Sequence, residues 1–167
     1  MSFMMLLIFP VFLVIAALSD LLTMRLSNRL TLTISLAFLL TAWVVRLPWM
    51  LVGQQVSCGF FMLLIGFGMF SRGWIGGGDA KLLAALAAWL GWGSLLDFIL
   101  MAAIFGGVFS FLVLQWRRWP LSQVMAQVPW LVRLHHPDEG VPYGVALAFG
   151  AFYAYPQSLI AAQILHL

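Results

Sequence analysis

Six apolar runs make up most of this chain, and they decide what it can fold into. They are Phe3–Leu18, Leu30–Val45, Gln55–Phe70, Ala80–Leu90, Leu95–Gln115 and Val145–Leu165. A helix rises 1.5 Å per residue and needs about 17–25 apolar residues to cross the hydrocarbon of a bilayer. Five runs reach or approach that length, and Ala80–Leu90 is short, stopped by Gly91-Trp92-Gly93. Of the 167 residues 64% are hydrophobic and 8% charged, whereas soluble domains carry roughly 25% charged residues. No water-soluble core absorbs so much apolar surface. The expected fold is therefore all-α: a polytopic membrane helical bundle of about six transmembrane helices, forming a single domain over residues 1–167.

The cations orient the bundle. If the first two runs are joined on the cytoplasmic side, then Arg25, Arg29, Arg72, Lys81, Arg117, Arg118 and Arg133 all fall inside and Arg46 alone falls outside. That asymmetry obeys the positive-inside rule and places both termini outside. The formal charge of +3 thus reads as loop charge on a membrane protein, and no nucleic-acid partner is expected. Met1–Ser19 carries no Lys or Arg ahead of its apolar run, which a secretory signal has, so it reads as a retained first span. Trp116–Pro142 is the only long connection. Val124, Val128, Leu131 and Val132 fall at roughly helical spacing within it, as in an amphipathic helix lying on the membrane surface. Pro156 is expected to kink the last span.

One stretch breaks the pattern. Arg72-Gly73-Trp74-Ile75-Gly76-Gly77-Gly78-Asp79-Ala80-Lys81 sets an acid and a base where a span should begin. An ionised Asp at bilayer centre costs about 2.5–3.5 kcal/mol on insertion scales, and such residues are functional candidates by default. In the six-span arrangement Asp20 ends the first helix and Asp79 begins the fourth, at the same depth and on the cytoplasmic side. Two adjacent carboxylates do not both ionise readily and share a proton. One can then act as general base toward water while the other protonates a peptide carbonyl, which is aspartic-protease chemistry without metal or nucleophilic side chain. Gly76-Gly77-Gly78 lets the backbone leave helical form and approach a second chain, and an extended peptide could pair with it as a strand does. The plainer reading is a cytoplasmic turn in which Asp79 caps the fourth helix.

These residues resemble a known family. Gly76-Gly77-Gly78-Asp79 fits the Gly-x-Gly-Asp signature of intramembrane aspartyl proteases, and its continuation Ala80-Lys81-Leu82 is similar to the type IV prepilin peptidases. Asp20-Leu21-Leu22-Thr23-Met24-Arg25-Leu26-Ser27-Asn28 resembles that family's Asp, five residues, Ile-Pro-Asn pattern, with Leu26-Ser27 standing for Ile-Pro. Val141-Pro142-Tyr143-Gly144 resembles its Pro-Tyr-Gly at the start of the last helix. The resemblance implies that Asp20 and Asp79 are catalytic. It implies substrate-binding roles for Gly76, Gly77, Gly78, Lys81, Asn28, Pro142 and Tyr143, with Lys81 pairing with a carboxylate or the substrate backbone. It further implies cleavage of basic leaders from prepilin and pseudopilin precursors at the cytoplasmic face of a bacterial inner membrane, with no cofactor and no metal. The absence of a four-cysteine cytoplasmic region is similar to the short, peptidase-only branch of tight-adherence (Flp-type) pilus systems, without a methyltransferase region. Beyond the precursors and membrane lipid, a homo-oligomer is left open.

Other candidates have plainer readings. Cys58 lies inside an apolar run as a small core residue. His135-His136 with Asp138-Glu139 forms a solvated loop before it forms a metal site, although the acidic pair could meet a basic leader. Asp97 reads as a helix-end residue favoured by the macrodipole. The rival functions for Asp20 and Asp79 are a small proton- or cation-coupled transporter and an inert pilus assembly subunit. A transporter prefers acids near the midplane, on broken helices in repeated halves, and no repeat is visible.

Overall fold

The computed structural model describes residues Ser2–Leu165; Met1, His166 and Leu167 lie outside them. Seven α-helices follow one another: α1 Ser2–Thr23, α2 Asn28–Val44, α3 Trp49–Ser71, α4 Gly77–Trp116, α5 Pro129–His135, α6 Tyr143–Ala154 and α7 Leu159–Leu165. There is no strand among the described residues. Three helices (α1, α3 and α4) are long and apolar enough to cross a membrane, and α6 with α7 makes a fourth candidate if that bent pair is one span. At 17 residues, α2 is a shorter apolar helix.

The 40 residues of α4 would make a rod of about 60 Å, twice the hydrocarbon thickness of about 30 Å. The chain resolves this by turning back on itself. Gly91 has φ 71 and ψ 179, the one non-helical residue in α4, and its conformation is open to glycine but strained for an L side chain. A Cβ there would also lie 1.7 Å from Oε1 of Gln55, which is buried in α3. The outgoing leg carries Asp79 near Asp20 and Trp89 beside Phe9 of α1. The returning leg passes Gly150 with Phe98 and Ala102, then reaches Tyr143 with Gly106. The two legs are antiparallel, and they form the centre on which α1, α2, α3 and α6 pack.

Trp89 is the middle of that centre. It is fully buried, stacks on Phe9 at 4.8 Å, meets Phe38 of α2 edge-on at 6.0 Å, and donates its indole N–H to the Ile34 carbonyl at 2.9 Å. Buried aromatic pairs of this kind are worth about 0.5–1.5 kcal/mol beyond their area, and the indole donor is satisfied, as a buried N–H should be. Glycines let backbones approach elsewhere: a Cβ on Gly59 would lie 2.9 Å from the Ala84 carbonyl, and one on Gly66 3.1 Å from Ala80. Small residues at such crossings are how helices associate in lipid.

The structure moves several expected boundaries. Trp92 and Gly93 are helical rather than a stop, because Gly91 alone makes the break. α3 begins at Trp49 rather than at Gln55, since Pro48 sits ahead of the first turn as its N-cap. The expected surface helix over 124–132 is instead a 3-10 turn Met125–Gln127 followed by α5, with Pro129 at the start of that helix. Proline has no N–H to continue a preceding helix but suits a first position. Pro156 lies in the 3-10 turn Tyr155–Gln157, and the two flanking segments bend by 48°.

Candidate active site

Asp20 lies in the last full turn of α1 and is buried, with 5% of its surface exposed. The first N–H groups of any helix lack intrahelical acceptors, and α6 finds one of its acceptors in another helix. The Gly144 amide donates to Asp20 Oδ2 at 2.6 Å, and the Val145 amide donates to the same carboxylate. Glycine is required at 144: a Cβ there would lie 2.7 Å from Oδ2 and 3.0 Å from Leu26 Cδ1. Asp20 is thus a side-chain cap delivered from a distance.

Asp79 is the third residue of α4. Gly76 is the N-cap in extended conformation, φ −70 and ψ 149, and its amide donates back to the Asp79 carboxylate. This is half of a capping box. Gly78 leaves little room for a side chain, because a Cβ there would lie 3.0 Å from Leu26 Cβ and 3.3 Å from the Leu26 carbonyl oxygen. Leu26 therefore wedges the α1–α2 loop between the starts of α4 and α6. The N-termini of two helices converge on two carboxylates, each anchored by backbone N–H groups, and Asp20 acts electrostatically on Asp79.

The pair lies between two cavities. One, of about 480 Å³, is walled by Gly73–Gly76 and by Glu139–Tyr143; the other, of about 620 Å³, is walled by the α1–α2 loop and by Gly76–Gly78. Asp20, Met24, Gly76 and Asp79 line both. Each cavity is mixed in polarity and open to the outside, as a peptide site must be.

The structure brings Gly76, Gly77, Gly78, Pro142 and Tyr143 to these cavities. It does not bring Lys81 or Asn28. Lys81 points away from both aspartates and donates from Nζ to Asn28 Oδ1 at 2.7 Å, on the side of α4 that faces α2. Ser27 is the N-cap of α2 and accepts from the Leu30 amide at 3.2 Å, so it starts that helix. Asp97 is in the returning leg, at the Gly91 end and remote from the pair. His136 faces Asp138 at 3.7 Å in exposed surroundings, and no cluster of three or more metal-ligating side chains exists among the described residues. Cys58 is buried and free.

Four contributors escaped sequence reasoning. Gly144 was visible only as part of a motif, not as the seat of Asp20. Met24 lines both cavities in a left-handed turn, φ 51, with no glycine to announce it. Arg117 donates to the Leu134 carbonyl at 2.8 Å and to the Gly140 carbonyl at 3.0 Å, tying down the cavity wall 139–143. Arg133 secures α5, which precedes that wall in the chain, to the Leu22 carbonyl of α1. The only sequence signal for either arginine was its charge.

Apolar helices that fit a multi-pass membrane protein, with a buried and a half-buried aspartate at one end of the bundle, define a narrow class. The sequence profile of the type IV leader peptidase family matches residues 7–111, and the chain belongs to that family. It is similar to the prepilin leader peptidase/N-methyltransferase of Pectobacterium carotovorum subsp. carotovorum, 34% identical over 125 residues, 72% of this chain and 45% of that protein. The protein of the same name in Dickeya chrysanthemi is 35% identical over 131 residues, 75% of this chain and 46% of that protein. That of Burkholderia pseudomallei is 56% identical over a 43-residue stretch covering 26% of this chain and 14% of the relative. The chain thus spans less than half the length of the curated relatives it matches. No solved structure gives a significant match.

Proposed function

We propose that this chain is a membrane-embedded aspartic endopeptidase that removes the basic leader from Flp-type prepilins and related pseudopilins, with Asp20 and Asp79 as its acid–base pair. The observation that carries this reading is that both carboxylates line the same two cavities, each held by backbone N–H groups at a helix start. A carboxylate has enough lone pairs to keep such an anchor and still face a water.

One carboxylate, deprotonated, takes a proton from water as the water oxygen attacks the peptide carbonyl carbon. The other, protonated, donates to the carbonyl oxygen. Collapse of the tetrahedral intermediate breaks the C–N bond: the proton first taken from water passes to the leaving nitrogen, and a hydroxyl proton of the intermediate returns to the second carboxylate. Gly73–Gly76 and Gly140–Pro142 offer main-chain edges along which an extended substrate can lie. In this reading α1, α2, α3, the two legs of α4, and α6 with α7 make six crossings. The aspartates then sit at the cytoplasmic face of the bacterial inner membrane, where a basic leader would remain.

Co-expression with a Flp-type prepilin, followed by immunoblot of precursor size, tests this. Cleavage is expected with the native chain and none with Asp20→Asn or Asp79→Asn variants that still accumulate in the membrane. Cleavage surviving both substitutions would remove the acid pair from the mechanism.

A further inference from the structure

α2 and α3 both pack on the outgoing leg of α4, and a groove of about 550 Å³ runs between them. Its floor is Ala84, Ala85 and Ala88, and its walls include Leu32, Phe38, Phe60 and Leu63. Lys81 and Asn28 close it at the end nearer the aspartates, and no carboxylate lines it. The hydroxyls in it are already used: Thr31 donates to the Asn28 carbonyl and Ser35 to the Thr31 carbonyl. The Lys81 ammonium has three donors, of which Asn28 Oδ1 takes one. Among the described residues it has no ion-pair partner.

We infer that this groove binds one anionic phospholipid, its phosphate on Lys81 and Asn28 and an acyl chain along the alanine floor. An apolar chain gains nothing selective there, because neighbouring lipid is as apolar as the groove. Selectivity rests on the cation at its end, the arrangement by which basic pockets between membrane helices take acidic headgroups. Two other occupants fit worse. An apolar helix from a second copy could lie on the small-residue floor, but it would cover the ammonium without an anion, which is costly in a membrane. A precursor with a basic leader would bring like charge to Lys81. The groove also shares no lining residue with either cavity around the aspartates.

The full chain, purified in detergent doped with phosphatidylglycerol or phosphatidylcholine, is examined by native mass spectrometry for retained lipid and by thermal melting. Phosphatidylglycerol is expected to be retained preferentially and to raise the melting temperature. Lys81→Gln should weaken that retention about fivefold, Lys81→Arg should keep it, and Arg118→Gln, which removes a charge elsewhere, should not alter it. Leu32→Trp, which fills the groove from an exposed position, should abolish it even if Lys81→Gln fails to accumulate. Equal retention of the two lipids, or selectivity unchanged in both Lys81→Gln and Leu32→Trp, overturns the site. So does a Lys81→Gln variant that loses self-association or precursor capture while keeping its phosphatidylglycerol. The readout is lipid rather than cleavage, so this site stands or falls apart from the peptidase reading.

Discussion

Gly144 bears on Asp20 as directly as any side chain in the cavity. Its missing Cβ leaves room for Oδ2, and its amide holds that oxygen at 2.6 Å. Gly144→Ala should push the carboxylate out of register while α6 still forms, since alanine is a better helix former than glycine. A misplacement of about 1 Å at a reacting group costs about a hundredfold in rate. We expect cleavage to fall by that order with membrane accumulation unchanged, measured side by side in the co-expression assay. At this scale the sequence was informative where charge is scarce: two acids in an apolar chain stand out at once. It was silent where meaning comes from a distant contact. Nothing about Asn28 and Lys81 indicates that they bind each other rather than the aspartates, because their meeting depends on how α2 lies against α4.

At the scale of elements, the reversal of α4 and the Arg117 hydrogen bonds to the Leu134 and Gly140 carbonyls do most of the positioning. Gly91→Ala forces an L residue to φ 71 and drives a methyl group into Gln55. Positive φ with an extended ψ alone costs an L residue about 1–3 kcal/mol, so the melting temperature in detergent should drop, and Gln55→Ser in the same chain should recover part of the loss. No recovery would mean that the collision is not what fixes the glycine. Arg117→Ala should free Leu134 and Gly140 together. Limited proteolysis should then nick the segment 118–141 faster, and cleavage activity should fall with it; an unchanged digestion pattern would show the two hydrogen bonds to be dispensable. The helical segments were legible as apolar runs, and Gly91-Trp92-Gly93 announced a break. The helical state of Trp92 and the choice of Gly91 over Gly93 were not, because both depend on Gln55 in a neighbouring helix. The surface helix was overextended for a local reason that could have been seen, namely Pro129.

For the whole molecule, the orientation inferred from the cations has a direct check. In a Cys58→Ser background, cysteine at His136 should react with a membrane-impermeant maleimide only after the cytoplasmic side is opened, and cysteine at Arg46 should react from outside. The opposite pattern would turn the bundle over and put the aspartates on the wrong side for a leader held in the cytoplasm. The arrangement of the two cavities carries a last consequence. Asp20, Met24, Gly76 and Asp79 form a saddle with an opening on either flank, not the floor of a blind pit. A blind pit measures a polymer from its tip and trims it. A saddle takes a strand laid across it, with both ends running on past the rim, and so selects a position within a chain rather than its terminus.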